Sequence, residues 1–85
     1  MKTQQKYNGW CNRATWNVAL WLRNDEGLYR AAVADTRQHR GRFTGRHAEL
    51  ICRELFPSGK TPDGDSLVDV HWPEIAGAMR ELAGV

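Results

Sequence analysis

Long apolar runs are missing from this chain of 85 residues, and none approaches the roughly 18–20 residues that cross a bilayer as a helix. No secretory signal is expected, because Met1 to Gln5 is polar with no apolar h-region, and the cytoplasm is the expected compartment. Cysteine is scarce. Cys11 and Cys52 stand far apart, and in a reducing compartment two free, partly buried thiols are expected rather than a bridge. There is no C-x-x-C pair and no pair of histidines at helical spacing, so Cys11, His39, His47, Cys52 and His71 form no metal-binding pattern, and no metal or other cofactor is expected. Alternation of apolar and polar residues is lacking too, as are repeats, linkers and low-complexity tracts. One domain is expected over residues 1–85, with residues 1–6 (MKTQQK) as a flexible polar start.

Tryptophan, by contrast, is plentiful, and three of the four (Trp10, Trp16, Trp21) fall in one short segment, Tyr7 to Tyr29. Asn8-Gly9 is a turn signal. A first helix follows, capped by Asn12 or Thr15 and running to about Arg23 or Asn24. Trp16, Val18, Ala19, Leu20, Trp21 and Leu22 cover its circumference, the mark of a buried central helix. Asn24-Asp25-Glu26 starts a second helix, about 25–39, which Gly41 ends. Thr44 caps a third, about 45–56, in which Ala48, Ile51, Cys52, Leu55 and Phe56 repeat at helical spacing and Pro57 stops it. A loop of Pro, Gly and Asp (57–65) and a short turn at 66–70 lead to a last helix, about 71–83. Pro73 suits its first turn, Glu74 is placed to reach back to a cap at His71, and Trp72 is placed to staple it to the core. The fold class is all-α, a single small domain of four helices with a buried central first helix.

The string Asn8-Gly9-Trp10, Asn12, Thr15-Trp16-Asn17-Val18, Leu20-Trp21, Asn24-Asp25-Glu26 resembles a pattern found in small proteins of phages, prophages and mobile elements. Their signature is NGWxNxxTWNVxLWxxNDE, and no activity is established for them. Asp63-Gly64, Trp72 and Glu74-Ile75 extend the resemblance weakly. It transfers no site residue. It implies a context in which compact proteins of this length inhibit or redirect a host machine, as anti-CRISPR and antirestriction proteins do.

Charge is unevenly spread. Residues 1–46 hold nine Lys/Arg against three Asp/Glu (+6), whereas residues 47–85 hold three against seven (−4). Such a dipole either steers a charged partner or draws the two halves together. Its basic extreme is Arg37 to His47, where Arg37, Arg40, Arg42 and Arg46 surround Phe43 with no acid among them. Guanidinium forks in a glycine-containing segment suit phosphates or acidic side chains, and an aromatic can stack on a base. The plainer reading is a solvated helix end. A helix-turn-helix is disfavoured because Glu49 and Glu54 would repel phosphates. Ser58-Gly59-Lys60-Thr61 lacks the preceding glycine and strand of a phosphate-binding loop and reads as a turn. Asp63, Asp65 and Asp69 read as a solvated, helix-capping cluster rather than a cation site. No Ser or Cys lies in a nucleophile elbow, so an enzyme is not expected.

The expected function is therefore that of a non-enzymatic, phage-type interaction protein in the host cytoplasm, which binds and inhibits a host protein or ribonucleoprotein complex. An anti-CRISPR or other anti-defence inhibitor is its most specific form. Arg37, Arg40, Arg42, Phe43 and Arg46 are the candidate partner-binding residues, with Trp10 and Trp21 as aromatic anchors. Core packing is the competing role for each tryptophan. A small nucleic-acid-binding module using Arg37 to Arg46 is the alternative function. Homodimerisation through an exposed part of the first helix is a further possibility, and no membrane partner is expected.

Overall fold

The computed structural model describes residues 7–39 and 41–85. The polar start and Arg40, one of the candidate arginines, lie outside the described residues. Four helices make up the domain, α1 (Arg13–Asn24), α2 (Glu26–Gln38), α3 (Gly45–Leu55) and α4 (Trp72–Ala83), with a 3-10 turn at Leu67–Asp69. Among the described residues, strand-like pairing is limited to two isolated bridges, Tyr7 with Trp10 and Lys60 with Ser66. The domain is all-α, as its periodicity predicts.

Local chemistry sets each boundary. Asn8 and Gly9 take positive φ (51° and 90°), and Tyr7 and Trp10 exchange N–H···O bonds of 2.7 and 2.8 Å across them. This is the tight turn that an Asn-Gly pair favours, and it lays the Tyr7 ring 4.9 Å from Trp16. Asn12 is the cap of α1, its Oδ1 accepting the Thr15 N–H at 2.9 Å, so Thr15 lies inside the helix. A single residue, Asp25, separates α1 from α2. Its N–H donates to the Trp21 carbonyl at 3.0 Å, while its carboxylate accepts the Leu28 N–H at 3.0 Å. Thr44 precedes α3, and its N–H donates to His47 Nδ1 at 3.1 Å, the reach-back half of a capping box. That bond places the neutral imidazole's proton on Nε2.

Helices α3 and α4 start side by side. A Cβ on Gly45 would stand 3.1 Å from the Pro73 nitrogen and 3.2 Å from the Trp72 carbonyl carbon, so this close approach of the two helices favours glycine. The expected reach-back of Glu74 to His71 is corrected here. Glu74 Oε1 instead accepts the Cys11 N–H at 3.0 Å, and the His71 backbone N–H donates to Thr15 Oγ1 at 2.8 Å. The start of α4 is thus tied to the start of α1 rather than closed on itself.

Helix α4 packs against each of the other three. Val18 and Leu22 of α1, Cys52 of α3, Leu67, and Ile75 and Met79 of α4 form the fully buried centre. Trp16, Leu20 and Trp21 are partly buried, at the margins of the broad buried face of α1. The strongly exposed large apolar residues are Tyr7, Tyr29, Leu50, Val68 and Val85, none of them on α1. Both cysteines are free, and burial pushes the Cys52 thiol up to about 12. No helix among the described residues is long and apolar enough to cross a membrane.

Candidate functional site

The tryptophan-rich signature folds into a polar latch. Asn17, fully buried on α1, donates from Nδ2 to Asp63 Oδ2 at 2.9 Å, and Trp21 Nε1 donates to the same oxygen at 3.1 Å. These two donors, the Asn17 amide first, hold the Asp63 carboxyl below its ordinary value. Arg13 pairs with Asp65 at 3.1 Å, which raises the guanidinium's pKa, and its charge lies near the rings of Tyr7 and Trp16. Asn12 Nδ2 donates to the Asp69 carbonyl at 2.8 Å. Three acids expected to be solvated and helix-capping therefore clasp α1 with two carboxylates and a backbone oxygen. Among the described residues, Asn17 Oδ1 alone is a buried side-chain oxygen or nitrogen with no hydrogen-bond partner. Trp10 and Trp21, the candidate anchors, both pack against the core from the side, and the indole N–H of Trp21 is engaged in the latch.

The arginines behave differently. Arg80 Nη1 donates to the Phe43 carbonyl at 2.6 Å and Arg37 Nε to the Ala83 carbonyl at 3.1 Å. These bonds draw α4 against the α2–α3 connection, and Arg80 joins Arg37, Arg42 and Arg46 in a basic corner. Sequence reasoning missed Arg80 because it lies in the acidic half; only its packing against Phe43 reveals it. All four are exposed, and among the described residues none has a carboxylate at ion-pair distance. Three other arginines are satisfied, Arg30 by Glu26, Arg53 by Glu49 and Arg13 by Asp65, whereas Arg23 at the end of α1 is exposed with no ion-pair partner among the described residues. Attraction between the basic and acidic halves thus operates at Arg13 and leaves the corner uncompensated. Phe43 is corrected: its side chain is 6% exposed and belongs to the core, so it cannot stack on a base.

Beside this corner, a groove of about 230 Å³ runs between α2 and α3, lined by Asp35, His39, His47, Leu50, Ile51 and Glu54. The His39 and His47 rings lie 4.6 Å apart, centre to centre. No cysteine lines it, since Cys52 points to the core. Among the described residues no three His, Cys, Asp or Glu side chains come together to hold a metal ion. Cys11 and His71 both approach Glu74, Cys11 through its backbone N–H and His71 through Nδ1 at 3.9 Å, with no hydrogen bond between thiol and imidazole.

A model of a family of unknown function (DUF7249) matches residues 3–83. The chain belongs to this family. The DUF7249 match takes in all four helices, the latch and the basic corner. No curated protein and no solved structure matches the chain.

Proposed function

We propose that this protein is a non-enzymatic interaction module that docks its basic corner on an acidic surface of a host protein or ribonucleoprotein. Inhibition of a defence complex, as by an anti-CRISPR protein, is the most specific form of the reading, and it rests on the resemblance of the Tyr7 to Tyr29 signature to phage-type proteins. One observation carries the docking itself. Arg37, Arg42 and Arg46 border the α2–α3 connection, Arg80 is bonded to it through the Phe43 carbonyl, and none of the four has an acidic partner among the described residues, while Arg13, Arg30 and Arg53 are neutralised within the fold. Two of the four are held by backbone carbonyls, so their ordering cost is met before a partner arrives.

An acidic protein surface fits better than bare nucleic acid. Phe43, the aromatic that would stack on bases, is buried. Two assays test the proposal together. A stoichiometric partner should be recovered from bacterial lysate by the wild type and lost with Arg42→Glu. Generic DNA or RNA should show no micromolar shift at low salt. A salt-sensitive shift without any protein partner would transfer the function to direct nucleic-acid binding.

A further inference from the structure

Helix α3 carries four charged side chains on its outer surface, and they divide evenly. Glu49 and Arg53 pair with each other at 3.0 Å, one turn apart. Arg46 and Glu54 have no ion-pair partner among the described residues. Midway between them stands Leu50, which is 51% exposed in a domain whose other helical leucines are buried or partly buried. Arg46, Leu50 and Glu54 are spaced at i, i+4 and i+8, and so form one stripe along the helix. Each step of four residues rises about 6 Å, which places the positive and negative ends equally far from the leucine.

A stripe that reads plus, apolar, minus is complementary to itself when a second copy lies antiparallel. A two-fold axis through Leu50 sets Arg46 of one copy against Glu54 of the other, twice, and brings the two leucines together over the groove. Asp35 lines the same groove from α2 and adds a second carboxylate near the incoming arginine. We infer that α3 is the interface of an antiparallel homodimer centred on Leu50, with reciprocal Arg46–Glu54 pairs between copies. Its occupant is a second copy of this chain, chosen because both halves of the charge pair and the apolar centre are present in one helix. A helix of 11 residues offers a contact of only about 16 Å, so the dimer is a weak one that forms with rising concentration. It uses Arg46 and leaves Arg37 and Arg42 outward, and so goes beyond the docking role of the basic corner.

Charge exchange within one chain tests this without any other partner. In sedimentation equilibrium up to about 1 mM, the wild type should show a monomer–dimer equilibrium, and Leu50→Asp should be monomeric. Arg46→Glu and Glu54→Arg should each weaken association about tenfold or more, because each sets two like-charge pairs across the interface. The double variant should return to within about threefold of the wild type. Both single changes put the favoured sign at their helix terminus, acid at the start and base at the end, so neither unfolds α3. Positions 46 and 54 lie about 12 Å apart along one helix, so rescue can arise only between copies. A wild type that stays monomeric throughout the range overturns the inference, and so does a dimer that the double exchange fails to restore.

Discussion

The latch and the basic corner are both dense in side chains of one kind, yet they make opposite use of them. Around α1, polar groups close on one another: Asn12, Asn17, Trp21 and Arg13 find Asp69, Asp63 and Asp65 across the loop. Around the α2–α3 connection, Arg37 and Arg80 donate to carbonyl oxygens, Arg42 and Arg46 are exposed, and among the described residues none of the four pairs with a carboxylate. A cluster whose hydrogen bonds are internally satisfied has little left for a partner. A cluster of like charge held in place without compensation stores repulsion that an anionic surface relieves. The comparison teaches that the most distinctive string in the sequence describes how the domain is held together, while the plainer basic run carries the proposed docking surface.

Four changes break or sharpen that contrast. The largest effect is expected of Asn17→Asp, which sets a buried carboxylate against Asp63. Urea unfolding should show a loss of about 3–5 kcal/mol, as for other uncompensated buried charges. A change that leaves the midpoint untouched would mean the latch is not closed. Next is Gly45→Ala, whose methyl group meets the Pro73 and Trp72 backbone at 3.1–3.2 Å. Backbone cannot step aside as a side chain can, and thermal melting should register a loss of about 1–2 kcal/mol.

The third concerns acid. The donors from Asn17 and Trp21 depress the pKa of Asp63 in the folded state. Its contribution to stability is thus fully present above the unfolded value of 3.8 and is lost as pH falls through the lower folded value. Wild-type stability should decline more steeply below that point than stability of Asp63→Asn, and Trp21 fluorescence should report the opening. Parallel pH profiles would remove Asp63 from the latch. Arg42→Ala gives the smallest change expected, within about 0.5 kcal/mol of wild type by urea unfolding. A larger loss would place Arg42 among the structural arginines and contradict its assignment to a working surface.

Much of the fold was legible in the residues. Asn12 or Thr15, the Asn24-Asp25-Glu26 run, Thr44, the apolar spacing of α3, Pro57 and Pro73 mark helix limits through local rules, and the helices lie within a residue or two of the expected spans, with α2 ending at Gln38, three residues before Gly41. The latch was not legible, because its bonds join residues 42 to 57 positions apart. No periodicity says which aspartate of a loop meets which side chain of a distant helix. Glu74 illustrates the same limit: local pattern pairs it with His71, but the N–H of Cys11, 63 residues away, takes its oxygen. Phe43 sits among arginines and reads as exposed, yet its ring is buried in the core and Arg80 fastens its carbonyl. The basic corner was visible as composition. Its lack of acidic partners is a property of the folded surface alone.

The division of labour between the two regions is tested most directly by one lysate-recovery experiment with three folded baits: wild type, Trp21→Phe and Arg42→Glu. Trp21→Phe should keep the stoichiometric partner recovered by the wild type, since the lost indole N–H faces Asp63, and Arg42→Glu should lose it. Recovery that survives Arg42→Glu and fails with Trp21→Phe would contradict the account and make the tryptophan segment the binding surface.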